Sequence, residues 1–360
     1  MSGFHKLTVQ EVRPLTTAAC SVRFAVPEEL RADYAFHPGQ HLTLRRVSGT
    51  DDERRTYSIC STPADLVERG ELRIGVKRIN GGLFSSWLNG ELASGDTVEV
   101  MTPAGRFGAG TGQPDAAVGR RLGCVAAGSG ITPMMSIIAS TLREVPDGEI
   151  CLVYGNRTSN DVMFLEELAD LKNRYPGRFT MLHVLSGEPQ LSDLLTGRID
   201  AAKIATLLDG PAAGVEQWYL CGPFGMVTVA RDALVAGGVG ENRIHAELFF
   251  VGDEPIEAAA PVGEHDPEDR SQVTVTLAGR TSTVSVGYGG TSILDAVLAT
   301  RPDAPYACKG GVCGTCRARL TAGEVRMSRN YALEPDEIAA GLVLACQSHP
   351  VTPQVSLEFL

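Results

Sequence analysis

Apolar and polar residues alternate in short runs through the first third of the chain. LTVQEVRPL, SVRFAVP, QHLTLRRV, RTYSIC, ELRIGVKRI and DTVEVM are β-rich, and Gly, Pro and Asp turns separate them. Strands of that length and spacing predict an antiparallel β-barrel over residues 1–112. From about Ala116 the texture changes to strand–helix alternation. Strands are expected at Arg121–Ala126, Ile150–Tyr154, Phe179–Leu185 and Gln217–Cys221. Helices are expected at Met134–Leu142, Phe164–Lys172, Ala201–Leu208 and Met226–Ala236. Such alternation predicts an α/β domain with a parallel sheet over residues 113–250. Residues 271–360 begin with a hairpin, Gln272–Leu277 and Arg280–Val286 about Ala278-Gly279. A short helix at Ser292–Thr300, a cysteine-rich loop and a last strand at Gln354–Phe359 follow.

At roughly 100–200 residues per domain, 360 residues make two or three domains. A chain that is 43% hydrophobic and 21% charged supports proper cores and is neither disordered nor fibrous. Lys+Arg 32 against Asp+Glu 43 gives a net charge of −11, which argues against general nucleic-acid binding. The acidic surplus is concentrated at residues 251–270 (VGDEPIEAAAPVGEHDPEDR), where seven acidic residues face one basic. That stretch has no periodicity and reads as a solvated linker; a long surface loop is the alternative.

Nine cysteines behind an N-terminus without an apolar leader predict reduced thiols in a cytoplasm, not a secreted disulfide framework. Leu122–Leu142 is uncharged and long enough to span a bilayer. GSGITP interrupts it, so a strand, a glycine turn and a helix start are expected in a soluble protein.

The cysteines carry the sharpest chemical signal. Cys308, Cys313, Cys316 and Cys346 follow the C-x4-C-x2-C…C spacing of plant-type [2Fe–2S] ferredoxins. Such a cluster is anionic, and more so when reduced. The surrounding loop must therefore aim backbone N–H groups at sulfur, which Gly310, Gly311 and Gly314 permit. Zinc and plain core thiols are the competing readings, although a zinc ribbon favours two CxxC pairs.

Arg55-Thr-Tyr57-Ser58 at a strand end suits a flavin. Tyr57 offers an aromatic face, Ser58 a hydroxyl for a ring nitrogen, and Arg55 a cation for the pyrophosphate. Gly81 and Gly82, with Phe84 and Ser85 beyond, let N–H groups approach that phosphate. Alone, RTYS reads better as four ordinary core-strand residues; the glycine-containing partner at the right distance, with a nucleotide domain downstream, reverses that balance.

Gly128-Ser-Gly130-Ile-Thr132-Pro133 follows an apolar strand and opens a helix, the arrangement that places a dinucleotide pyrophosphate at a helix N-terminus. Pro133 suits the first helical position. Cys221-Gly222-Pro223-Phe-Gly225-Met226 follows what reads as the last strand, and Cys221 can lie against a nicotinamide edge. A buried hydrophobe is the alternative for Cys221, and the reading given to Cys20, Cys60, Cys124 and Cys151. Glu247 in HAELFF could reach the nicotinamide–flavin contact; a surface carboxylate fits equally. His37 and His41 flank Pro38-Gly39 and are not aligned as metal ligands.

RTYS, GG-x-x-S, GSGITP, YGNR (Tyr154–Arg157) and CGPFGM, in that order, resemble the ferredoxin–NADP reductase superfamily. The appended plant-type ferredoxin, of β-grasp α+β fold, resembles the reductases of bacterial multicomponent oxygenases. Asn330–Glu337 and the Leu344–Pro350 stretch are similar to the reductase subunits of phenylacetyl-CoA epoxidases. The resemblance implies FAD on Arg55, Tyr57, Ser58, Gly82 and Ser85, nicotinamide on Thr132 and Cys221, and the cluster on the four cysteines. NADP-using members often carry Ser-Arg after the third strand, whereas Ser186-Gly187 stands here. A 2′-phosphate would then rest on Ser186 and Arg157, with Arg198 as a further candidate, and the expected donor is NADPH, with NADH open. The implied reaction takes hydride from NAD(P)H to FAD, then single electrons through the cluster to a separate oxygenase component. Rival readings are the reductase of another aromatic-ring oxygenase, a stand-alone quinone or nitro-compound reductase, and a redox-sensing iron–sulfur protein.

Overall fold

In a computed structural model, residues 3–48, 51–109, 111–112, 120–250, 269–288 and 290–360 are described. The first sheet contains β1 (Phe4–Thr16), β2 (Ala19–Ala25), β3 (His41–Ser48), β4 (Asp51–Ser58), β5 (Glu71–Lys77) and β6 (Thr97–Met101). Its order is β4-β3-β6-β1-β2-β5, with antiparallel neighbours throughout. An Ile59–Ile74 bridge just beyond β4 closes it onto β5, giving the expected barrel. Its interior is the apolar half of the alternation, including Val22, Phe24, Leu42, Leu44, Leu72, Ile74, Val98 and Val100. Two helices accompany it. Helix α1 (Pro63–Arg69) is delimited by a Thr62–Asp65 capping box and by Gly70 in the left-handed conformation; α2 (Leu83–Gly90) follows β5.

The second sheet is built from β7 (Arg121–Ala127), β8 (Glu149–Asn156), β9 (Phe179–Leu185), β10 (Gln217–Pro223) and β11 (Ile244–Phe250). All neighbours are parallel, in the order β11-β10-β7-β8-β9. The crossovers carry α3 (Ile131–Glu144), α4 (Leu165–Arg174), α5 (Ala201–Leu208) and α6 (Phe224–Ala236). The strand ending at Cys221 is therefore not the last of this sheet, because β11 follows it. The uncharged Leu122–Leu142 stretch divides between β7 and α3 as expected. Among the described residues no helix is long and apolar enough to cross a membrane. Barrel and nucleotide sheet form one compact body, Phe4–Phe250, in which Ala19 and Cys60 of the barrel join the core under α3.

The C-terminal body contains β12 (Arg270–Leu277), β13 (Arg280–Gly287), β14 (Arg317–Ala322), β15 (Val325–Met327), β16 (Leu342–Leu344), β17 (Ser348–Pro350) and β18 (Gln354–Phe359). A mixed sheet, β13-β12-β18-β14-β16, packs Val273, Val275, Val355 and Leu357 with Ile293, Leu294 and Val297 of α7 (Ile293–Leu298). Strands β15 and β17 pair separately, and α8 (Pro335–Ala339) precedes β16. Residues 251–268 of the expected linker lie outside the described residues. Arg270, its last residue, opens β12.

Candidate active site

The barrel offers its candidate residues at the end of β4. Arg54 is buried and paired with Asp52 at 2.9 Å, whereas Arg55 is exposed. Tyr57 lies 6.2 Å, centroid to centroid, from Phe84 of α2. Beyond β5 the chain turns at Gly81 (φ 74°) and enters α2. Ser85 Oγ accepts from the Ile79 N–H at 3.0 Å and donates to the Gly82 carbonyl at 3.2 Å, bracing that turn. The first N–H groups of α2 have no intrahelical partner and can meet an anion.

The nucleotide loop is held closely against β10. A Cβ on Gly130 would lie 2.1 Å from the Cys221 carbonyl oxygen, so only glycine allows the turn to sit there. Thr132 is buried and donates to the Ser129 carbonyl at 2.9 Å, and Tyr154 donates to that of Gly128 at 2.9 Å. Because α3 opens at Ile131, Pro133 is its third residue and not its first. That position also lacks an intrahelical N–H bond, so proline is tolerated. Cys221 is fully buried between Ala126 of β7 and Glu247 of β11. Burial, reinforced by the neighbouring carboxyl, pushes its thiol well above the ordinary range.

Glu247 is no surface carboxylate. Its Oε2 is buried without a hydrogen bond, and Oε1 lies 3.9 Å from His41 Nδ1. Desolvation pushes the carboxyl up to about 8, with Ser58 opposing the shift. Residues from β4, β10 and β11 thus converge. HAELFF carries no clear signal of this, since a lone Glu in a short strand is ordinary.

Lys77 is a site residue that no motif marks. Its Nζ is 3.4 Å from where a Cβ on Gly128 would be, so an ammonium from the end of β5 sits against the dinucleotide loop. At the far end of the loop region, Gly187 N–H donates to the Arg157 carbonyl at 2.6 Å and Ser186 N–H to that of Asn156 at 3.0 Å. Arg157 and Ser186, both exposed, are brought side by side. Glu188 is adjacent, accepting from Ser159 N–H and Oγ at 3.1 and 3.2 Å.

The four C-terminal cysteines are close enough that each thiol shifts the acidity of another. Cys308 Sγ accepts from the N–H groups of Gly310 (3.3 Å) and Cys313 (3.4 Å). The Cys313 thiol hydrogen bond, then backbone donors, lower the pKa of Cys308; the Cys316 thiol does the same for Cys346. Gln347 Nε2 donates to the Lys309 carbonyl at 2.8 Å and lies 3.7 Å from Cys346 Sγ. Gly311 and Gly314 adopt positive φ, 77° and 67°, in this loop. Among the described residues no three Cys, His, Asp or Glu side chains converge on one ion. Four neighbouring cysteines, with backbone donors aimed at Cys308 Sγ and an amide beside Cys346 Sγ, fit a two-iron cluster and its thiolates.

Residues 6–108 match the oxidoreductase FAD-binding domain family, 124–232 the oxidoreductase NAD-binding domain family, and 275–351 the 2Fe-2S iron-sulfur cluster binding domain family. The chain is 43% identical to a component of the 1,2-phenylacetyl-CoA epoxidase of Escherichia coli (strain K12), covering 100% of this chain and 98% of that one. It belongs to the ferredoxin reductase family that carries a C-terminal [2Fe–2S] domain. This reductase is 36% identical to the ferredoxin reductase component of 3-ketosteroid-9-alpha-monooxygenase from Rhodococcus rhodochrous, over 98% of this chain and 96% of the relative. Its fold is shared with phthalate dioxygenase reductase, at TM-score 0.60 and 23% identity over 99% and 98% of the two chains. The fold is also found in an intact type IV self-sufficient cytochrome P450 monooxygenase, with TM-score 0.71 and 22% identity; 98% of this chain matches 41% of it. The reductase is accordingly an oxidoreductase of FAD, NAD(P)H and a [2Fe–2S] cluster.

Proposed function

We propose that this chain is the reductase component of a multicomponent oxygenase, with a phenylacetyl-CoA epoxidase as its partner in phenylacetate catabolism. The observation that carries the reading is the convergence of Ser58, Cys221 and Glu247 beside Tyr57 on β4, where a flavin and a nicotinamide would meet. When bound, FAD supplies the conversion of a two-electron hydride into single electrons that a [2Fe–2S] cluster can carry onward.

The residues divide that work among themselves. Tyr57 would cover a face of the isoalloxazine and Ser58 bond its ring edge. Arg55, Gly81, Gly82 and the first turn of α2 would hold the pyrophosphate. Gly128 and Gly130, with Thr132 and Lys77, would seat the nucleotide, while Cys221 and Gly222 present a small neutral surface to the nicotinamide. Glu247, protonated below about pH 8, would keep the contact free of negative charge. Cys308, Cys313, Cys316 and Cys346 would ligate the cluster.

NADPH is the proposed donor, through Arg157 and Ser186. NADH is the second reading, favoured by Glu188, because a carboxylate suits a ribose 2′-OH better than a phosphate. The cytoplasm is the proposed location, since none of the nine cysteines is in a disulfide and four of them would hold the cluster.

The test adds purified epoxidase oxygenase components, phenylacetyl-CoA, oxygen and NADPH to the holoprotein. Epoxide formation dependent on this chain is expected. Rapid NADPH oxidation with artificial acceptors but no epoxide would leave a reductase of another oxygenase or a stand-alone reductase. Negligible turnover with any acceptor would favour a redox sensor.

A further inference from the structure

Strand β5 of the barrel lies directly against the start of α3, and Gly75 is the point of contact. A Cβ there would be 2.6 Å from Thr132 Cγ2 and 2.9 Å from Phe164 Cζ. Glycine weakens a strand interior, and its presence marks a close approach. Phe164 precedes α4 in a left-handed conformation, φ 59° and ψ 26°, disfavoured for a bulky side chain. Its ring is buried under the Arg73 guanidinium of β5, 5.4 Å from the centroid. Arg73 in turn makes two hydrogen bonds to the Glu167 carboxylate, 2.8 and 2.6 Å. Beside them, Ser136 of α3 donates to the Ser61 carbonyl at 2.7 Å, and Ser61 Oγ accepts from the Arg73 N–H at 3.0 Å.

Apart from the Ser61–Arg73 bond, which lies within the barrel, each of these contacts joins the barrel to the nucleotide half. Two other bridges, Arg13–Glu166 and Arg143–Glu68, are more exposed and of the kind that contributes little. The inner group is different: it combines a close approach, a strained aromatic, a stacked cation and a doubly bonded ion pair. We propose that Gly75, Arg73, Phe164 and Glu167 form a clamp that fixes the spacing between the flavin cradle and the nicotinamide site. They are positioning residues for hydride transfer, and the inference rests on the hydride-transfer reading above. The geometry makes the link short. β5 is bridged to the residue after Ser58, and Thr132, two residues past Gly130, touches Gly75. Hydride transfer needs reacting atoms about 3–3.5 Å apart, and a displacement of about 1 Å can cost on the order of 100-fold in rate.

The test measures anaerobic flavin reduction by NADPH in the full-length holoprotein. It also records the NADPH Kd, the melting temperature and the difference spectrum that NADP+ induces on the oxidised flavin. The variants are Gly75→Ala, Gly75→Ala with Thr132→Ser, and Glu167→Gln. Gly75→Ala is expected to slow reduction at saturating NADPH by about tenfold or more and to alter the difference spectrum, with Kd within about threefold. Thr132→Ser removes the nearer obstruction, the methyl, and keeps the hydroxyl, while the Phe164 ring stays at 2.9 Å, so the double variant should recover part of both. Glu167→Gln should slow reduction several-fold, and it decides the matter alone if Gly75→Ala does not fold. Wild-type rates and spectra in the folded variants, or a loss confined to melting temperature, would overturn the clamp. If neither NADPH nor NADH reduced the wild-type flavin, the hydride-transfer reading would fall and the clamp with it.

Discussion

Glu247 of β11 holds its Oε1 3.9 Å from His41 Nδ1 of β3, and so brings the edge strand of the nucleotide sheet against the barrel. Cys221 is the register partner of Glu247 on β10. A largely buried carboxyl, a buried thiol and a buried imidazole therefore lie together, where residues far apart in the chain meet.

That carboxyl sets a pH dependence. Its folded pKa, about 8, exceeds the ordinary 4.5, so between these values the folded protein holds a proton that the unfolded chain has released. Stability from this group falls as pH rises through that window. Glu247→Gln should therefore raise the melting temperature more at pH 8.5 than at pH 5, and should flatten any change in flavin-reduction rate near pH 8. An equal effect at both pH values would mean that the carboxyl titrates normally.

Nucleotide choice should turn on the Arg157–Ser186 corner. Arg157→Ala is expected to weaken NADPH by roughly 10- to 100-fold and to spare NADH, the loss of one charge-assisted contact worth roughly 1.5–3 kcal/mol. Isothermal binding of both nucleotides decides it. Equal losses would place Arg157 on a phosphate that the two share.

Cys313→Ser should remove the reddish-brown absorption and the iron while leaving yellow, FAD-replete protein. The loop's donors are aimed at sulfur, and the flavin cradle lies in the other compact body. Metal analysis that found zinc in the wild-type protein would end the cluster assignment.

The body Phe4–Phe250 has its own cores. A protein truncated after Phe250 should bind FAD and oxidise NADPH with ferricyanide, yet fail to reduce cytochrome c efficiently or to support the oxygenase. Adding residues 271–360 in trans should restore only part of that activity, because tethering raises effective concentration. Full activity without them would mean that electrons leave from the flavin.

What is legible in the chain follows from periodicity and spacing. The change from alternating runs to strand–helix units locates β7 to β10 and α3 to α6, because each has an apolar face repeated often enough to be read. The cysteine spacing discloses the cluster loop, since few other chemistries need it. β11, Ile244–Phe250, is as long as β7, β9 and β10, and escapes a reading by pattern because no helical pattern follows it in the sequence to complete a further strand–helix unit. The burial of Glu247, the reach of Lys77 to Gly128 and the contact of Gly75 with Phe164 are not legible at all. Each depends on how the barrel seats on the nucleotide sheet, a long-range packing that local pattern does not encode.

The central claim is that electrons pass from NAD(P)H through FAD to the cluster of the same chain. Rapid-freeze EPR of the anaerobic holoprotein after mixing with one equivalent of NADPH, alongside stopped-flow absorbance, tests this most directly. The expected result is loss of oxidised flavin absorbance followed by the signal of a reduced [2Fe–2S] cluster, approaching one spin per chain with excess donor. A flavin that is fully reduced beside a cluster that remains EPR-silent would contradict it.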